Sequence, residues 1–145
     1  MTVIKKSAVV PYEADQMYEL VNDVESYPDF LPWCRDTAVY DKTDTSLRAS
    51  LTLATGSIKQ SFTTENTMQP GRRIDVCLVS GPFKYLRGDW QFEPVDYNRC
   101  RISLEMEFEF KNRLLKMALS KIFNHIIETL VEAFTERAQQ VYGHA

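Results

Sequence analysis

Residues 112–142 read NRLLKMALSKIFNHIIETLVEAFTERAQQVY, the one stretch long and periodic enough to be a single helix that the rest of the chain must fold around. Leu115, Leu119, Ile122, Phe123, Ile126, Ile127, Leu130, Phe134, Ala138 and Val141 recur mostly three or four apart, which aligns them as one broad apolar stripe. Lys116, Lys121, Asn124, Glu128, Glu132, Glu136 and Gln140 occupy the wet side. Asn112 suits the N-cap, since its side-chain oxygen accepts a backbone N–H left unpaired in the first turn, and Gly143 suits the stop at the other end. At 1.5 Å per residue the helix runs about 45 Å, enough to cross a whole sheet. Periodicity leaves open whether the stripe meets a filled core or a ligand cavity; what faces it decides.

What faces it is a run of strands. Residues 37–42 form a weak strand, and Leu47, Ala49, Leu51 and Leu53 alternate with Arg48, Ser50 and Thr52 up to Gly56. A strand over 58–68 follows and stops at Gln69-Pro70-Gly71; Ile74, Val76 and Leu78 mark the next, ended by Ser80-Gly81-Pro82. Leu86, Gly88, Trp90 and Phe92 then alternate with Arg87, Asp89, Gln91 and Glu93. The last strand is the clearest, with Ile102, Leu104, Met106, Phe108 and Phe110 against Arg101, Ser103, Glu105, Glu107 and Glu109. Short turns join these strands, so consecutive ones pair antiparallel, each with one oily face. Before them, residues 3–9 read as a strand of ambiguous facing, and Met17, Leu20, Val21 and Val24 give a helix of about ten residues by their spacing. The expected fold is therefore α+β: one curved antiparallel sheet gripping the long C-terminal helix, in a single domain over 1–145.

Composition bounds function. The net charge of -3 and pI near 5.4 argue against a general nucleic-acid binder, so no DNA partner is expected. No apolar run reaches the roughly 20 residues of a membrane span, and the first residues lack a signal-peptide core. A cytoplasmic location is the expectation, with peripheral contact at the inner membrane left open. Cys34, Cys77 and Cys100 are odd in number and without C-x-x-C spacing, which reads as reduced thiols.

Catalytic patterns are missing: H-E-x-x-H, G-x-S-x-G, the P-loop and G-x-G-x-x-G do not occur. His144 lies beside the end of the chain, and His125 lies near the edge of the helical stripe, where a lone histidine is usually a boundary residue. Glu105, Glu107 and Glu109 share a strand face that reads as solvated. No metal or resident cofactor is expected. Two loops stand out. Tyr27-Pro28-Asp29-Phe30-Leu31-Pro32-Trp33-Cys34 crowds large apolar side chains between prolines, so it plugs one end of the core or lines a pocket mouth. In Ser80-Gly81-Pro82-Phe83-Lys84-Tyr85, aromatics beside Lys84 and Arg87 suit an anionic surface such as lipid headgroups, with Phe83 folding back into the core as the equal alternative.

These stretches carry a resemblance. Val10-Pro11-Tyr12, the run from Leu20 through Tyr27-Pro28-Asp29-Phe30-Leu31-Pro32, Phe62-Thr63-Thr64-Glu65-Asn66, and Gly81-Pro82-Phe83 with Leu86, Gly88, Trp90 and Phe92 resemble the coenzyme Q-binding family. That family belongs to the START-like, polyketide cyclase-like helix-grip superfamily, and its bacterial branch is also called the ribosome association toxin family. Trp33 departs from the small residue expected there and would narrow a pocket mouth. The resemblance implies a helix-grip fold and two roles. One is a non-catalytic carrier holding ubiquinone or a related polyprenyl lipid in support of respiration; the other is binding to the large ribosomal subunit, blocking subunit joining.

For the first role, Phe62, Trp90, Phe92, Met106 and Phe108 from the sheet and Leu119, Ile122, Phe123 and Ile126 from the helix are the candidate wall, with Phe30, Leu31, Trp33 and Phe83 at the entrance. For the second, Lys84, Arg87, Lys111, Arg113, Lys116 and Lys121 are the candidate phosphate-facing set. A cyclase-type enzyme ranks third, because such a pocket offers few groups to move a proton.

Overall fold

The computed structural model describes residues 1–143, so His144 lies outside the described residues. Its strands are β1 (Thr2–Val10), β2 (Cys34–Tyr40), β3 (Ser46–Thr55), β4 (Ile58–Gln69), β5 (Arg73–Ser80), β6 (Phe83–Asp96) and β7 (Arg99–Phe110). They form one seven-stranded sheet in the order β1-β7-β6-β5-β4-β3-β2, every pair antiparallel. Helix α1 (Ala14–Asn22) and a 3-10 turn (Val24–Asp29) follow β1, and α2 (Arg113–Tyr142) closes the chain.

Alternation decides the facing of each strand. In β7, Ile102, Leu104, Met106, Phe108 and Phe110 are buried, and Leu86, Gly88, Trp90 and Phe92 lie buried on the neighbouring β6. In β1 the ambiguity resolves inward through Ile4 and Val10, leaving Val3, Lys5 and Val9 exposed. Gly88 stands directly opposite Met106, and a Cβ on it would meet the Met106 sulfur at 2.8 Å. A bare backbone there gives the methionine room to lie flat across the sheet. Register shifts at Cys34/Asp36, Thr63/Thr64, Phe83/Tyr85 and Pro94/Asp96 bend the strands. Bending of this kind wraps a sheet around a helix instead of leaving it flat.

The helix ends follow from their cap chemistry. Asn112 Oδ1 accepts the Leu115 N–H at 2.9 Å, and Gly143 takes φ 78° where its N–H meets the Gln139 carbonyl at 3.0 Å. Glu13 and Gln16 form a capping box on α1. Two tyrosines then tie the far end of α2 to the amino-terminal layer. Tyr12 Oη donates to the Gly143 carbonyl at 2.7 Å and Tyr142 Oη to the Gln16 carbonyl at 3.0 Å.

Three details differ from the sequence reading. Val131 joins the buried face of α2, while Val141 at the last turn is 49% exposed, and Leu115, Ile122 and Leu130 are only half-buried. An α-helix has 3.6 residues per turn, so a stripe read by threes and fours drifts around it over eight turns. Strand β2 begins three residues earlier and ends two earlier than 37–42, because Ala54 N–H reaches the Trp33 carbonyl at 2.9 Å and Asp41 reverses the chain with φ 51°. Tyr27-Pro28-Asp29 is not irregular loop but the last part of the 3-10 turn, which tolerates Pro28 inside its short span. Among the described residues, no helix is long and apolar enough to cross a membrane.

Candidate functional site

The seam between sheet and helix is mostly aromatic and closed. Phe83 is 3% exposed, with its ring centroid 4.9 Å from Phe123, 5.1 Å from Phe110, 5.9 Å from Phe62 and 6.3 Å from Phe108. Farther along α2, Phe134 gathers Trp90 at 5.3 Å and both Tyr27 and Phe30 at 5.4 Å, and Phe92 stacks behind Trp90 at 6.4 Å. Edge-to-face pairs dominate, as ring quadrupoles favour. Phe83, Trp90, Phe92, Met106, Phe108, Leu119 and Phe123 are therefore core, Phe62 packs against its edge half-buried, and Phe30 packs on its border under the Arg137 guanidinium at 5.0 Å. Of the two readings of the 80–85 loop, the inward one is found: Phe83 folds into the core, and half-buried Tyr85 donates to Glu107 at 3.1 Å.

The opening lies on the other flank of α2. A cleft of about 560 Å³ is bounded by Leu31, Pro32 and Trp33 after the 3-10 turn, Thr55 at the end of β3, and Ile122, Ile126, Thr129 and Ala133 of α2, with Lys121 and His125 on its rim. Leu31, Trp33, Ile122 and Ile126 are the wall and entrance residues that the structure brings together here. Trp33, half-buried, stands at the mouth, and Leu31, 2% exposed, forms part of the floor. Thr129 does not offer its hydroxyl to the cleft, because that group donates to the His125 carbonyl at 2.8 Å. The surface inside is mainly hydrocarbon. Thr55, Thr129 and Ala133 escaped the sequence reading, and His125 was read only as a boundary residue; the signal for the helical three was a second three-and-four spacing, 122, 125, 126, 129, 133, on the shoulder of the main stripe, whereas Thr55 on β3 had none.

The thiols take no part. Burial pushes the Cys34 thiol up to about 11, helped by the nearby Asp36 carboxylate, and burial alone does the same for Cys100. Both stay protonated near neutrality, and Cys77 alone is exposed. Buried Thr64 and Asn66 satisfy one another, Oγ1 to Oδ1 at 2.9 Å. Among the described residues, no three His, Cys, Asp or Glu side chains gather as a metal would require.

A second cleft, of about 270 Å³, opens at the start of α2. Lys84, Lys111, Arg113 and Lys116 line it together with Met1, Thr2, Glu109 and Ser120. The Lys111 N–H bonds the Pro82 carbonyl at 3.0 Å, which fixes the β6 turn beside the helix and so brings Lys84 to the other three cations. Among the described residues, none of these four makes an ion pair. The other two candidates lie apart: Arg87 faces Glu107 across the outer side of the sheet, and Lys121 sits on the rim of the apolar cleft.

Comparison with known proteins is consistent along the chain. Residues 10–135 match the family model described as polyketide cyclase / dehydrase and lipid transport. The ribosome association toxin RatA of Vibrio cholerae is 44% identical over 143 residues, covering 99% of each chain. A more distant relative, the mitochondrial coenzyme Q-binding protein COQ10 homolog B of Xenopus laevis, is 29% identical over 95% of this chain and 58% of its own length. The solution structure of an 18 kDa protein from Caulobacter crescentus superposes with a TM-score of 0.76 at 32% identity, covering 99% of both chains. The chain thus belongs to the polyketide cyclase / dehydrase and lipid transport family with its START-like fold, in the branch that holds the ribosome association toxins.

Proposed function

We propose that the chain binds a polyprenyl lipid such as ubiquinone, without turning it over, in the cleft between Trp33 and the flank of α2. The observation that carries this reading is a hollow of about 560 Å³ walled by Leu31, Trp33, Ile122, Ile126 and Ala133. That size falls within the usual range for small-molecule pockets. At roughly 0.8 kcal/mol per buried methylene, a five-carbon isoprene unit contributes about 3 kcal/mol before ordering costs, so a few units suffice without a dedicated hydrogen bond. Lys121 and His125 at the rim are placed for a polar head. The lipid-transport description of the family and the name of the Xenopus relative support the same class of ligand. Extraction and mass spectrometry of the purified protein, with a ubiquinone titration, tests it. Uptake by the parent and a loss of about tenfold in Ile122→Asp, the cost of one apolar wall side chain, are the expected results; a protein that carries no lipid and takes up none sinks the reading.

A second reading rests on a different observation. The four unpaired cations at the start of α2, together with close relatives named ribosome association toxins, fit contact with the large ribosomal subunit. Such contact weakens steeply with salt, and each cation removed lowers the salt slope by about one. Co-sedimentation with the large subunit at rising ionic strength, comparing the parent with Lys84→Gln/Lys111→Gln, tests it; salt-insensitive binding or none sets it aside.

A further inference from the structure

The opening turns of α2 present most of their surface to solvent, with only Leu115 packed half-buried against the core. Arg113, Leu114, Lys116, Met117 and Ala118 are all exposed, and the first fully buried residue is Leu119. Leu114 and Met117 are 76% and 77% exposed, the two most exposed large apolar side chains of the helix. With Ala118 and Lys121 they stand at positions i, i+3, i+4 and i+7, which puts them on one helical face. The same spacing runs on to Ile122 and His125, so this face leads to the rim of the apolar cleft. On its other side lie Lys84, Lys111, Arg113 and Lys116, with Glu109 the one acidic side chain lining their cleft.

We propose that this end of α2 docks the protein on an anionic lipid bilayer, with Leu114 and Met117 entering the acyl boundary and the four cations among the lipid phosphates. Apolar side chains set beside cations on one short helical stretch are the pattern of an element that lies in the headgroup layer. Each lysine or arginine near such a surface adds to binding, within the reach of the Debye length. A phosphate-rich RNA would also meet the cations. It would gain nothing from Leu114 and Met117, though, and no exposed aromatic stands among them to stack a base. The docking reading does not depend on what the cleft holds. It does give the cleft a sense of direction, since the docked face is continuous with its rim.

Flotation of the full chain with vesicles tests this, using phosphatidylcholine alone and phosphatidylcholine mixed with phosphatidylglycerol. The chain should float with the anionic vesicles, stay behind with the neutral ones, and release as salt rises. Leu114→Ser/Met117→Ser, at positions already in water, should lower the partition about a hundredfold by removing two inserted apolar side chains. Lys111→Gln/Lys116→Gln should lower it by about tenfold or more. Thermal melts of both variants check that they are folded. The proposal is overturned by a parent protein that ignores anionic vesicles, including one that instead sediments with ribosomal subunits, and equally by a Leu114→Ser/Met117→Ser variant that floats as well as the parent.

Discussion

Single side chains divide this seam into parts that hold it and parts that open it. Phe134 is fully buried at the meeting of Tyr27, Phe30 and Trp90, so Phe134→Ala should cost about 3–5 kcal/mol in a urea titration. Trp33 only edges the cleft. Trp33→Ala should cost about 2–3 kcal/mol, since most of the indole packs against the core, and should speed the exchange of any lipid the cleft takes up. The thiols give a pH signature with a definite sign. Cys34 and Cys100 have their pKa values raised to about 11 in the fold, so the stability they lend is complete below pH 9 and is lost as pH climbs toward 11. Denaturant midpoints across that window should fall in the parent and fall less steeply in Cys34→Ala, which keeps the Cys100 contribution. Ellman titration of the native protein should find Cys77 promptly and the two buried thiols only after unfolding. Residue identity alone told less here: Phe83 and Trp33 are both large aromatics in proline-bounded loops, and only the packing around them makes one a plug and the other a doorpost.

At the scale of elements, the sequence was most informative where one physical period governs. Alternation in β7 and the three-and-four spacing of α2 gave those elements nearly to their ends, whereas β6, read over 86–93, runs from Phe83 to Asp96; Asn112 and Gly143 marked the helix limits because cap chemistry is local. The bulges were not legible, since a register shift such as Thr63/Thr64 depends on what the partner strand offers. The cleft was half legible for the same reason. Ile122 and Ile126 follow from helical spacing, but their meeting with Leu31 and Trp33, some ninety residues earlier in the chain, depends on how the 3-10 turn sets the loop. Removing the helix cap with Asn112→Ala should lower stability by about 1 kcal/mol, read as a fall of a few degrees in Tm. Gly88→Ala should cost no more than about 1 kcal/mol, because the new methyl presses only on the flexible thioether end of Met106, which can move aside.

Across the whole molecule, topology sets how it assembles. β1 pairs with β7, Thr2 opposite Phe108, so the sheet is complete only when its first strand meets its last across some hundred residues of chain. Pairings that distant cost loop entropy before they reward it, which favours millisecond-to-second folding over the microseconds of a helical bundle. Stopped-flow refolding followed by tryptophan fluorescence would report it through Trp90, which is buried on β6. The charge of the molecule is likewise uneven: a net charge of -3 coexists with four cations near the start of α2 that make no ion pair among the described residues. Average composition therefore says little about what that end would approach.

The tyrosine ties at the carboxyl end of α2 have a mechanical consequence. A rod tied at its tail, by Tyr12 to Gly143 and by Tyr142 to Gln16, and wedged at mid-length by buried Phe123 and Phe134, has its pivot at the tail and its slack only in the turns ahead of Leu119. Movement of the helix should then be confined to its first turns and leave the tail where it is. Amide exchange in residues 114–120 should outpace that in 134–141, and Tyr12→Phe together with Tyr142→Phe should loosen the pivot and erase much of the difference.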